Sequence, residues 1–226
     1  SAEEATGLTC MAAVPASSKF NRKKQWESVL EHDAHSANAE AIRNLRASIV
    51  LLGKQERNKV LLITSAIPGE GKTTISAELA AAFAMNKERT LLIDMDLRRP
   101  KLTESFPDLK GTPGIVEVLA GQAELDSVFH DTHINELKVM GSGDKAPNPS
   151  ELLHEGEFVE ILEKLSPQFD RIILDSAPVL PVADSRLLAK HAQAVILVVR
   201  SRKTPIGAMM RARDLLSAAG AKVGGV

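Results

Sequence analysis

Short, unbroken apolar runs alternate along this chain with longer stretches in which apolar residues recur every three to four positions. The runs at 59–64 (KVLLIT), 89–96 (RTLLIDMD), 137–141 (LKVMG), 170–175 (DRIILD) and 192–200 predict strands buried on both faces, the pattern of a parallel sheet. Between them the helical period predicts helices over 37–53, from the end of a glycine loop to about residue 86, over 114–120, from Glu151 onward and over 205–219. In the first of these, Ile42, Leu45, Ile49 and Leu52 form the apolar stripe and Asn38 is the expected cap; in the last, Met209 and Met210 are expected to face the core. Strands alternating with helices imply an α/β fold, a doubly wound, mostly parallel sheet with helices on both faces.

Residues 1–36 read differently. They are a polar, small-residue lead-in in which at most one strand or turn is expected, with Trp26 either on the main body or at an interface, so the domain proper is taken as 37–226. The final KVGGV (222–226) has the look of an opening strand, and the natural protein is expected to continue beyond it and to begin before Ser1.

Composition narrows the classes. The 226 residues are 44% hydrophobic and 25% charged with a formal net charge of −1, which gives no electrostatic case for wholesale nucleic-acid binding. A single cysteine, Cys10, allows no internal disulfide, and no run approaches the ~18 apolar residues of a membrane span. His32 with His35, and His130 with His133, have metal-like spacing but not the thiol or carboxylate partners of a recognisable site, so they are read as solvated surface histidines.

The chemistry concentrates in residues 65–74, SAIPGEGKTT, between the first strand and an alanine-rich helix. A strand that turns through glycines into a helix leaves several N–H groups aimed at one spot, where the helix dipole attracts an anion. Pro68, Gly69, Glu70, Gly71, Lys72, Thr73 and Thr74 are therefore the expected phosphate cradle, with Lys72 reaching the outer oxygens and the Thr73 hydroxyl placed for Mg²⁺. Ala66 stands where the usual pattern has its first glycine.

Three acids leave strand ends on the same side of the sheet. Asp94 and Asp96, with Arg98 nearby, end the second strand, and Asp175 ends the fourth, where it is the natural second carboxylate near Mg²⁺. Two carboxylates beside a phosphate site call for a cation. Asn148 lies in the loop SGDKAPNPSELL at the same end, ahead of a helix that Ser150 is expected to cap.

The set SAIPGEGKTT, LLIDMDLRRP and RIILDSAP resembles the Walker A, Walker A′ and Walker B motifs of the bacterial tyrosine kinases of exopolysaccharide and capsule export systems. The helix bearing Glu40, Arg43 and Arg46 resembles that family's oligomerisation motif, and NPSELL at 148–153 is a further match. Related partition and septum-positioning ATPases carry a lysine where this chain has Ile67, which fits the kinase branch better.

The resemblance implies a P-loop domain that moves the γ-phosphoryl of ATP, with Mg²⁺, onto tyrosines of neighbouring subunits in a ring-like homo-oligomer. It implies association with a membrane polysaccharide co-polymerase, on the same or a separate chain, at the cytoplasmic face of the inner membrane, this piece itself being soluble. Lys72 would neutralise developing charge, Thr73, Asp94 and Asp175 would organise the metal, and Asp94 or Asp96 would accept the tyrosine proton. The chain has no tyrosine, which departs from the family pattern: the acceptor tail is cut away or mutated, or the acceptor lies on another protein. A P-loop ATPase that switches assembly of an export complex without phosphorylating protein shares all these residues.

Overall fold

A computed structural model of the chain describes residues 2–15, 26–53, 58–153 and 156–226. In chain order its elements are α1 (Ala2–Thr6), α2 (Val29–His32), α3 (Ala37–Leu52), β1 (Val60–Ser65), α4 (Lys72–Met85), β2 (Thr90–Met95), α5 (Ile115–Leu119), β3 (His130–Asp131), β4 (Leu137–Met140), α6 (Pro149–Leu152), α7 (Glu157–Leu165), β5 (Arg171–Ser176), α8 (Asp184–Ala189), β6 (Ala194–Val198), α9 (Ile206–Ala218) and β7 (Val223–Gly225). Among the described residues the strands form one sheet in the order β3-β4-β2-β5-β1-β6-β7, parallel except for β3. This is the doubly wound α/β architecture that the alternating pattern predicts.

Period-two alternation splits the strand residues between two cores. Leu62, Leu91, Ile93, Ile172, Leu174, Val195 and Leu197 face one layer, with Phe158, Leu188 and Leu216 from α7, α8 and α9. Leu61, Ile63, Leu92, Ile173 and Ile196 face the other, with Leu45 and Ile49 of α3 and Leu79 and Phe83 of α4. Each such buried side chain contributes about 1.5–3 kcal/mol relative to exposure, so the sheet is strongly held on both faces. Four of the five alanines of α4, Ala77, Ala80, Ala81 and Ala84, are buried on the sheet side and bring the helix backbone close to the strands. That closeness fixes where its first turn sits.

Several boundaries differ from the sequence reading. Helix α3 is capped by Ser36, whose Oγ accepts the Ala39 N–H at 3.2 Å from extended backbone, while Asn38 lies inside the first turn. The lead-in holds two helices, α1 and α2, rather than at most one strand or turn. Ser28 caps α2 and gives its hydroxyl to Glu78 of α4 at 2.6 Å, and Trp26 is buried against Phe106 with ring centroids 5.0 Å apart. The segment also reaches the far edge, where Val226 N–H donates to Thr9 O and Met11 N–H to Val226 O, each at 3.0 Å. Strand β3, two residues long, pairs antiparallel on β4 and has no counterpart in the hydrophobic pattern. The helix expected from Glu151 begins instead at Pro149 as the short α6, and α7 follows separately. Ser150 does not cap it, because its hydroxyl is turned onto Asp184. Met209 is buried, whereas Met210, one position on along α9, is 40% exposed. Of the paired histidines, His133 lies 3.0 Å from Glu31, and among the described residues neither pair joins a group of three or more His, Cys, Asp or Glu side chains placed to hold a metal.

Candidate active site

The phosphate loop owes its shape to three local choices. Gly69 and Gly71 take left-handed φ values of 83° and 96°, conformations that cost other residues about 1 kcal/mol or more. Helix α4 then starts at Lys72 with Gly71 as an N-cap that makes no side-chain hydrogen bond, so its first amides are left for a ligand. Glu70 turns inward instead of into the cradle: its carboxylate accepts the Ile67 N–H at 2.9 Å and the Thr204 hydroxyl, binding the loop to the start of α9. A Cβ at Gly69 or Gly71 would meet nothing within 4 Å, so the hollow they border is open. Pro68 and Thr74 are exposed along it.

Lys72 is buried and points at the acids. Its Nζ is 3.1 Å from Asp96 Oδ2 and 3.7 Å from Asp175 Oδ1. Burial works against the ammonium, but Asp175 and Asp96 more than offset it and raise its pKa. Asp175 is itself pushed upward, first by burial, although Lys72 and hydrogen bonds from Thr73 and Ser76 pull the other way. Its Oδ2 is buried and, among the described residues, accepts no hydrogen bond. An orphaned carboxylate oxygen beside the Thr73 hydroxyl suits a hydrated divalent cation, and it is the observation by which Mg²⁺ fits here.

Parallel pairing explains the rest of the cluster, because Asp94 of β2 and Asp175 of β5 are register partners on adjacent strands. Burial, then the Asp175 charge, pushes the Asp94 carboxyl up to about 7. Asp94 nevertheless accepts three backbone N–H groups, from Asp96 at 3.1 Å, Lys101 at 3.0 Å and Leu102 at 2.9 Å, and Asp96 accepts that of Arg99 at 3.1 Å. The two acids therefore fold the turn that follows them as well as line the site.

The structure thus gathers Lys72, Thr73, Asp94, Asp96 and Asp175 at the carboxyl ends of β1, β2 and β5. Arg98 stands beside them but its guanidinium is engaged by Asp184 at 2.8 and 3.1 Å and by Ser150 at 3.0 Å. Asn148 is exposed at the start of α6, with Nδ2 3.1 Å from Glu151. Glu40, Arg43 and Arg46 are on α3, away from this cluster; Glu40 and Arg43 pair within the helix at 3.2 Å and both are well exposed. Three contributors escaped the sequence reading. Ser76, whose Oγ lies 2.8 Å from Lys72 O and 3.3 Å from Asp175 Oδ1, was discoverable from its i+4 relation to Lys72. Asp184 and Thr204 gave no comparable local signal.

Lysine, hydroxyl and three carboxylates around an amide-lined loop form a site for a phosphate chain and its cation. Residues 58–211 match the AAA domain family. The chain is 33% identical over 230 residues to tyrosine-protein kinase ptk of Acinetobacter johnsonii, covering 99% of this chain and 31% of that relative. It is 35% identical over 188 residues to tyrosine-protein kinase YwqD of Bacillus subtilis, covering 83% of this chain and 79% of that protein. The solved kinase domain of Escherichia coli tyrosine kinase ETK superposes with a TM-score of 0.91 at 28% identity, covering 100% of this chain and 91% of the other. The chain spans 31% of the length of the larger relatives, ptk among them, and most of the length of YwqD. With its phosphate loop, its two acid-tipped strands and these relatives, the chain belongs to the bacterial tyrosine-protein kinases.

Proposed function

We propose that this chain is the catalytic domain of an ATP-dependent protein-tyrosine kinase that phosphorylates tyrosines of neighbouring subunits and thereby regulates exopolysaccharide polymerisation and export. The observation that carries the reading is the buried Lys72 lying between Asp96 and Asp175 at the mouth of an amide-lined loop. Residues 68–74 hold the phosphates, and Lys72 leaves its carboxylates to meet the charge that develops on the transferred group. Thr73, Asp94 and Asp175 are the residues that would hold Mg²⁺, which when bound would supply neutralisation of the phosphate charge. The tyrosine oxygen forms a bond to the γ-phosphorus as the bond to the bridging oxygen breaks, and its proton passes to Asp94 or Asp96. Arg98, fixed by Asp184 and Ser150, and Asn148 border the nucleotide.

The catalytic unit is residues 37–226, and residues 1–36 are its lead-in, of which the described parts, 2–15 and 26–36, pack against it. Helix α3 presents Glu40, Arg43 and Arg46 to an adjacent copy in a ring-like homo-oligomer. Among the described residues no helix is long and apolar enough to cross a membrane. Association with a membrane polysaccharide co-polymerase puts the domain at the cytoplasmic face of the inner membrane. Because the chain contains no tyrosine, the acceptor comes from outside it.

The test is transfer of label from γ-labelled ATP with Mg²⁺ to an added tyrosine peptide, with a Lys72→Met variant alongside. Phosphotyrosine that requires Lys72 supports the reading, and an unlabelled peptide contradicts it.

A further inference from the structure

Four cations outside the chemistry stand around the mouth of this site. Arg99 and Lys101 are exposed, and their backbone N–H groups are held by Asp96 at 3.1 Å and Asp94 at 3.0 Å. They therefore project from the turn that the two candidate proton acceptors themselves build. Arg202 and Lys203, also exposed, occupy the tip of a turn whose frame is fixed: Lys203 and Thr204 N–H donate to Arg200 O at 3.0 and 2.9 Å, and the Thr204 hydroxyl binds Glu70 of the phosphate loop. Arg202 takes a left-handed φ of 61°, as such a tight turn requires. Among the described residues none of the four side chains has an ion-pair or hydrogen-bond partner. Glu104 is an exposed carboxylate farther along the first of these stretches.

Topology sets the two pairs on either side of the phosphate loop. The first follows β2, the second follows β6, and β5 and β1 lie between. Three strand spacings are about 14 Å, the reach of about four residues of extended peptide. Lys72 and the α4 amides, deeper in the site, are the counter-charges for ATP, whereas Arg99 and Lys101 are exposed on the turn tied by its backbone to Asp94 and Asp96, where the tyrosine hydroxyl is to arrive.

We propose that these four residues determine acceptor specificity, and that the preferred acceptor is a tyrosine in an extended segment with acidic residues on both sides. This rests on the kinase reading above. Each exposed charge pair is worth little alone, but a set of them amounts to about tenfold in kcat/KM and is weakened by salt.

Two peptides of one length, a central tyrosine flanked by glutamate or by glutamine, test this with the intact chain and Mg-ATP. The glutamate peptide is expected to be preferred about tenfold, less so at high ionic strength. A doubly reversed variant, Arg99→Glu with Lys101→Glu, is expected to lose that preference and to favour a lysine-flanked peptide; Arg202→Glu with Lys203→Glu provides the same test from the other side. Each ratio is taken within one preparation, so a general loss of activity cancels. Equal labelling of the two peptides by the unaltered chain, or an unchanged preference in both reversed variants, overturns the proposal and leaves the kinase reading standing. Labelling of no peptide overturns the kinase reading, and this inference with it.

Discussion

Arg98 grips Asp184 with two prongs, Nε to Oδ2 at 2.8 Å and Nη2 to Oδ1 at 3.1 Å, across 86 residues of sequence. Ser150 donates to the same carboxylate at 2.8 Å, so one buried acid holds together the loop after β2, the start of α6 and the start of α8. Removing the guanidinium strands that acid in the interior. Arg98 is 40% exposed, so water screens the pair, and we expect Arg98→Ala to cost about 1–2 kcal/mol rather than the 3–5 of a fully buried one. Arg98→Lys should recover less than half of the loss, having no second prong. Urea unfolding measures both, and a loss below about 0.5 kcal/mol for Arg98→Ala would show the pair to be incidental.

Gly71→Ala separates the two roles of the phosphate loop. The new Cβ meets no atom, so the fold should lose only about 1 kcal/mol from the left-handed backbone, yet the methyl enters the hollow where phosphate belongs. Nucleotide affinity is expected to fall by about 100-fold or more while the thermal midpoint drops a few degrees. Titration with a fluorescent ATP analogue reads the first and calorimetry the second. Retained affinity would mean that the cradle lies elsewhere.

The acid cluster makes stability depend on pH. Asp94 sits at about 7 in the fold against an ordinary value near 4, so between those values the folded chain holds a proton that the unfolded chain has released. Its contribution is complete below about 4 and is lost as pH rises through about 7. Without nucleotide or metal, the thermal midpoint should therefore fall from pH 5.5 to pH 8, and saturating Mg²⁺ with ADP should reduce that slope. A midpoint that is flat or rising over the range would place Asp94 in its ionised form throughout.

Trp26 anchors the lead-in, and its indole Nε1 is buried without a hydrogen-bond partner among the described residues. Truncation to alanine removes the ring packed on Phe106 and should cost about 3 kcal/mol, whereas Trp26→Phe sheds the unpaired N–H and should cost under about 1.5. Denaturant midpoints decide this, and equal losses for the two variants would mean that the ring is not what is being measured.

How much of this was legible in the chain depended on distance along it. The phosphate loop and the two acid-tipped strands announce themselves because glycine conformation, helix start and apolar run are local properties of neighbouring residues. Asp94 and Asp175 converge only through strand order, which the doubly wound pattern implies in outline. The Arg98–Asp184 pair, the Thr204–Glu70 tie and the Ser28–Glu78 bond join residues remote in sequence, and nothing near any of them signals the partner. Strand β3 is created by an edge that β4 offers, not by its own two residues. Ser36 outcompeted Asn38 as the cap because the residue that keeps extended backbone, not the better-known capping amide, decides where α3 begins.

The fate of the γ-phosphoryl distinguishes a kinase from a nucleotide switch. In a single turnover with γ-labelled ATP, Mg²⁺ and a tyrosine peptide, with its phenylalanine counterpart as control, the label can end on tyrosine or as inorganic phosphate. The account predicts that most of it appears on tyrosine, that the phenylalanine peptide takes none, and that Lys72→Met slows transfer by about 100-fold or more. Label released to water at the same rate whether or not tyrosine is present would contradict it, and would make this chain a nucleotide-driven switch that shares the kinase site without its reaction.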